Sequence, residues 1–256
     1  MFDCCQVKAV SADYPRERNV ETTLIEFQGG LAHQLMVILH VLLFVYWLGG
    51  DLGVFHSSRF VVKSDISPGA RAIAAKIMLD LDLIPRICMS LMLTVGGILT
   101  EFIGLPHPLY QKVGIVLLGP VWLFCVIYLH FRHGSKAHSA VAKFDMSIRW
   151  AVVVGLPISV WWHWESNNMA DYPWVAGKLL VFAFLVFCGI MVRRKIGPFF
   201  AVQMKCRRGE MPTDEENTAQ QKSLSQVRVW VFMIWAGVFL SGFVGIMNRS
   251  GIIYGG

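Results

Sequence analysis

The sequence predicts an all-α integral membrane fold, a six-transmembrane-helix bundle with short interfacial helices. Three observations predict it. Hydrophobic residues make up 55% of the 256 and charged residues only 16%, with a mean hydropathy of +0.53, too few polar side chains to cover a soluble globule. Six apolar segments reach the roughly 20 residues with which a helix crosses about 30 Å of hydrocarbon. Lys and Arg crowd into every second connection, the asymmetry that orients a multi-pass chain.

Residues 1–30 form a polar tail carrying acids and bases, read as an external cap or partner-binding arm. No cleavable signal is visible, because the first apolar run is too long for a signal-peptide core. The membrane domain occupies 31–248, with spans at about 31–55, 83–103, 112–131, 148–164, 174–192 and 227–247. The fourth is the shortest. Between the first two, the Ser67-Pro68 start and helical spacing of apolar residues through Asp80 predict an interfacial helix. Residues 193–226 read as a basic cytoplasmic loop, in which Thr213 or Asp214 caps a helix leading into the last span.

Arg59, Lys63, Arg71 and Lys76 follow the first span, Arg132, Lys136, Lys143 and Arg149 the third, and Arg193, Arg194, Lys195, Lys205, Arg207, Arg208 and Lys222 the fifth. These three connections are expected in the cytoplasm, with both termini outside a bacterial inner membrane. The net charge of +6 then reflects orientation and contact with anionic membrane lipid, not nucleic-acid binding. Cysteines form no framework: Cys4 and Cys5 are adjacent, Cys88, Cys125 and Cys188 lie in spans, and Cys206 lies in the basic loop. None belongs to a C-x-x-C-H motif, so any haem is held non-covalently.

The most informative residue is His40, seven before Trp47 inside the first span. An imidazole at bilayer depth is costly unless a metal, a cofactor or another polar side chain partners it. The remaining histidines fall at two levels: His33 or His40 with His163 suggests an outer haem site, and His56 with His130 or His133 an inner one. Histidine at a span end also reads simply as an interfacial residue, and His40 also as an interhelical hydrogen-bond partner. His107 lies between two prolines in an external connection. Gly49 and Gly50, before Asp51, leave room for a neighbouring backbone or a flat cofactor. Arg86 and Lys178, charged within spans, suit carboxylates such as haem propionates, or snorkel to the interface. The Trp161-Trp162-His163-Trp164-Glu165 cluster reads either as a quinone pocket or as an aromatic belt.

The stretch from His40 to Trp47 with Gly49 resembles the first-span signature of the superfamily of HemJ-type protoporphyrinogen oxidases and CopD-type membrane proteins. Trp174-Val175-Ala176-Gly177-Lys178 is similar to a later HemJ span, with tryptophan four residues before lysine, and the opening from Arg86 to Met92 is similar in character to its second. The resemblance implies haem b, with His40 as axial ligand and Lys178 as a functional lysine. The chain departs from the HemJ pattern in having six spans rather than four, and in a displaced arginine, of which Arg59 is the nearest counterpart.

The function expected is a membrane-embedded b-type cytochrome subunit passing electrons between a redox partner and the quinone pool, alongside other subunits of a redox complex. It would hold one or two haems b, and quinone is the expected second cofactor. Whether the chain has catalytic activity of its own stays open. A HemJ-like protoporphyrinogen IX oxidase is the alternative, and a CopD-like copper transporter using Cys88, Met89 and Met92 is the third reading.

Overall fold

The computed structural model of the chain describes residues 20–105, 107–132, 137–166 and 169–249, and the side chains of these except 20–29, 165–166 and 248–249. The tail before residue 20 with Cys4 and Cys5, residues His133 and Lys136, and the side chain of Glu165 lie outside the described residues. The described elements are helical: α1 (Val20–Val61), α2 (Pro68–Leu81), α3 (Leu83–Phe102), α4 (Leu109–Phe131), α5 (His138–Ser166), a short 3-10 turn (Met169–Asp171), α6 (Pro173–Lys195), α7 (Gly197–Arg207) and α8 (Asp214–Arg249). Six helical stretches are long and apolar enough to cross a membrane.

Helix ends follow local hydrogen-bonding chemistry. Ser67 caps α2 by accepting from Ala70 N at 3.3 Å, with Pro68 at a position where its missing N–H is not needed. Gly104, at φ +82°, closes α3 in a Schellman arrangement in which Leu105 N donates to the Thr100 carbonyl at 3.1 Å. Thr213 and Glu216 form a reciprocal capping box before α8: Glu216 N donates to Thr213 Oγ1 at 3.3 Å and Thr213 N to Glu216 Oε2 at 3.0 Å. Both predicted starts are therefore found, the second at Thr213.

The six long helices close into a ring, each packed on the next in the order α1, α3, α4, α5, α6, α8 and back to α1. α1 thus stands across the ring from α5. All six contribute to one central core that includes Trp47, Met89, Trp122, Val152, Phe182 and Val238. Small residues set the close approaches: a Cβ on Gly50 would fall 2.7 Å from the Pro85 ring, and one on Gly119 2.5 Å from Thr94 Oγ1. Large apolar side chains such as Phe124, Phe243 and Leu35 face outwards, as suits lipid.

At the end carrying the basic connections, here the basic end, a second cluster of Val61, Ala75, Met78, Phe199 and Leu224 joins the end of α1 to α2, α7 and α8. Buried Arg71 ties it together, donating to the Val61 carbonyl (2.9 Å), Asn217 Oδ1 (2.9 Å) and Gln220 Oε1 (2.7 Å). The other end, which carries residues 103–105, 107–108 and 169–172, is the distal end.

Two boundaries differ from expectation. The fourth span is not the shortest: α5 has 29 residues and starts at His138, so Lys143 and Arg149 lie on a helix and Arg149 is buried. The basic loop at 193–226 is mostly helix, divided among the end of α6, all of α7 and the start of α8. On α5 the charged residues Asp145 and Arg149 interrupt the apolar run without interrupting the helix, because they satisfy each other, with Trp122 of α4 and Arg193 of α6 joining at Asp145.

Candidate functional site

His40 faces the neighbouring helix α3, where a Cβ on Gly96 would lie 3.4 Å from the imidazole Cε1. Its Nδ1 is buried and has no hydrogen-bond partner. The Lys178 amine, on α6, is within electrostatic reach of the ring. That amine lies 5.3 Å from the Trp174 ring centroid, one turn earlier, and 2.6 Å from where a Cβ on Gly245 of α8 would stand. Trp47, two turns along α1 from His40, is buried and packs edge-on against Phe182 of α6 at 6.3 Å. Four helices therefore converge on one level of the bundle, and glycines on α3 and α8 leave the room that its two nitrogen bases occupy.

Two features of this arrangement suit a tetrapyrrole: an imidazole for the iron and a cation for a propionate. An imidazole with an unsatisfied buried nitrogen is unfavourable by itself and suited to a ligand. The His40 ring and the Lys178 amine occupy the room that Gly96 and Gly245 leave, and the Lys178 ammonium is matched to a carboxylate. Asp51, three turns from His40 along α1, is flanked by the indoles of Trp47 and Trp235.

The other predicted ligands are engaged elsewhere. His33 packs against Phe102 at 5.2 Å at the distal end. His163 has both ring nitrogens in hydrogen bonds, Nε2 with Gln111 Nε2 at 3.0 Å and Nδ1 with the Ser159 carbonyl at 2.8 Å. His56 is exposed and packs on Phe60 of its own helix, while His130 faces Asp80 at 3.8 Å. Since α1 packs on neither α4 nor α5, the proposed pairs of His33 or His40 with His163 and of His56 with His130 are not brought into direct contact; His133 lies outside the described residues.

The two predicted glycines separate. Gly49 faces open space, whereas the clearance at Gly50 is occupied by Pro85, so that contact is helix packing. Arg86 pairs with Asp82 near the basic end, about 15 Å along α3 from Gly96 at 1.5 Å per residue, and so does not share the level of Lys178. Trp161, Trp162 and Trp164 are exposed around the end of α5, the placement of an aromatic belt.

One cluster went unread in the sequence. Asp145 is fully buried and accepts four hydrogen bonds: Oδ1 from Trp122 Nε1 (3.0 Å) and Arg149 (3.3 Å), Oδ2 from Arg149 Nε (2.9 Å) and Arg193 (2.9 Å). The Arg149 guanidinium also lies 5.3 Å from the Trp122 ring centroid and donates to Met89 Sδ at 3.6 Å. The available signal was the Asp145-x-x-x-Arg149 spacing, an ion pair on one helix face. Its consequence for the copper reading is direct, because the Met89 sulfur faces a cation. Among the described residues no group of three or more His, Cys, Asp and Glu is placed to hold a metal ion.

No family model, curated protein or solved structure matches the chain.

Proposed function

We propose that the chain is a membrane-embedded b-type haem protein that passes electrons to a lipid-soluble quinone. One observation carries the reading: the imidazole of His40, with its Nδ1 buried and unpartnered, stands at the same level as the Lys178 amine, against glycines of α3 and α8. In this reading His40 holds iron, Lys178 holds a propionate, and Trp47 and Phe182 wall the pocket from the basic end. Haem supplies the one-electron chemistry when bound. The protein sets the ligand, excludes water through a ring of apolar helices, and presents Lys178 to balance negative charge. Among the described residues, Nδ1 of His40 is the histidine nitrogen that is buried without a partner, so the reading takes one haem per chain rather than two.

A HemJ-like oxidation of a porphyrinogen is the second reading. Its specific support is that His40 and Lys178, the residues to which the resemblance attaches roles, converge from helices 138 residues apart in sequence. Purification in detergent followed by a dithionite-reduced minus air-oxidised spectrum and a pyridine haemochrome assay tests the proposal. One b-type haem per chain, lost in His40→Ala and shifted in Lys178→Ala, is the expected result. A colourless protein, or a His40→Ala spectrum identical to wild type, overturns it.

A further inference from the structure

Towards the basic end, α1 and α8 meet along a seam of aromatic rings with two cations beside it. Phe55 of α1 packs on Phe232 of α8 at 5.6 Å between ring centroids and on Trp235 at 5.4 Å, and those two pack edge-on against each other at 5.5 Å. The Phe55 ring also carries two guanidiniums, that of Arg59 at 5.2 Å from its centroid and that of Arg228 at 5.7 Å. Phe55 and Arg59 are one turn apart on α1, and Arg228, Phe232 and Trp235 recur at helical spacing on α8, so each helix turns one face to the seam.

These arginines differ from those deeper in the bundle. Arg71 donates to three oxygens, Arg86 is paired with Asp82, and Arg149 and Arg193 share Asp145. Among the described residues Arg59 and Arg228 have neither a hydrogen bond nor a carboxylate, only the ring they share. Arg59 is exposed, so water can serve it. Arg228 is held differently: its Nε is buried without a partner, a donor whose missing acceptor is unfavourable. The seam therefore calls for an acceptor that carries net negative charge. A phosphate group meets both demands, because a guanidinium offers it two parallel N–H groups and the second arginine adds charge.

The surroundings identify what carries that phosphate. Leu52, two turns before Arg59 on α1, and Val229 and Phe232, beside Arg228 on α8, are apolar side chains left exposed. They belong to helical stretches long and apolar enough to cross a membrane. A free phosphate ion leaves this apolar surface uncovered, whereas a phospholipid brings acyl chains that cover it. Basic pockets between membrane helices are known seats of anionic headgroups.

We propose that the seam between α1 and α8 binds one anionic phospholipid, its phosphate held by Arg59 and Arg228 and its acyl chains lying along Leu52, Val229 and Phe232. α1 and α8 are the first and last of the described helices, so the ring closes here without a connecting segment. A lipid bound to both helices staples that closure. The inference uses neither haem nor quinone and stands or falls separately from the proposed function.

Native mass spectrometry of the full chain in detergent, titrated with phosphatidylglycerol or with phosphatidylcholine bearing the same acyl chains, tests the site. One phosphatidylglycerol is expected to bind more tightly than phosphatidylcholine and to raise the thermal midpoint. Arg59→Gln and Arg228→Gln should each weaken that binding about fivefold, the equivalent of about 1 kcal/mol per basic group near a membrane surface. Arg228→Lys, which keeps the charge but removes the Nε donor, should fall between wild type and Arg228→Gln. Arg207→Gln, at an exposed arginine ending α7, should bind as wild type does. Should the Arg228 variants fail to fold, Arg59→Gln decides alone, because that side chain is exposed. Equal affinity for the two lipids, or a loss in Arg207→Gln as large as in Arg59→Gln, overturns the proposal. So does displacement of the lipid by inorganic phosphate at equal concentration, which would make the ligand a free anion.

Discussion

Asp145 ties α5 to both of its neighbours in the ring, α4 through Trp122 and α6 through Arg193. Its carboxylate faces two guanidiniums and an indole N–H in a setting where a lone ion is strongly disfavoured. Removing it strands two cations, so Asp145→Ala is expected to destabilise the protein by about 3–5 kcal/mol, seen as a lower thermal midpoint in detergent. Adding Arg149→Met should recover part of that loss. Arg193, the cation that remains, is partly exposed and can reach water. A double variant no more stable than the single one would remove the ion cluster from this account. His40 presents the opposite case, a buried polar atom without a partner, and it is there that a ligand is proposed.

Helix contacts depend on which of two adjacent glycines faces inwards. Gly50→Leu drives a side chain into Pro85 and should destabilise the α1–α3 contact by about 1–3 kcal/mol, as overpacking does. Gly49→Leu meets open space and should leave the thermal midpoint within measurement error. Equal effects would mean that α1 is rotated from the orientation described. At the start of α8, Thr213→Ala breaks the capping box and should cost about 1 kcal/mol. This cap and that of α2 were legible because Ser67, Thr213 and Glu216 bond to backbone within three residues of themselves. The start of α5 was not, because Asp145 and Arg149 lower the local hydropathy and their partners come from α4 and α6.

For the molecule as a whole, the closed ring places Lys63 and Tyr110 at opposite ends. In a background lacking Cys4 and Cys5, where the other four cysteines are buried, single cysteines at these two positions should react with a membrane-impermeant maleimide from opposite sides of sealed vesicles. The basic-loop asymmetry predicts that the position of Lys63 is the cytoplasmic one. Labelling of both from the same side would refute the six-span arrangement.

The helical class and the six long apolar stretches were set by the sequence itself, because length and hydropathy summed over segments of about 20 residues fix them without reference to any partner. His40 and Lys178 were likewise singled out early, since a polar group at that depth is conspicuous whatever surrounds it. The partners were another matter. That His163 is hydrogen-bonded to Gln111, that Arg86 stands at the wrong level to join Lys178, and that Arg149 is a core residue were decided by the ring of helices. Lipid-facing and core-facing sides of these helices are both apolar, so rotation about each axis is invisible in hydropathy. Only packing around Gly50, Gly96, Gly119 and Gly245 selects it.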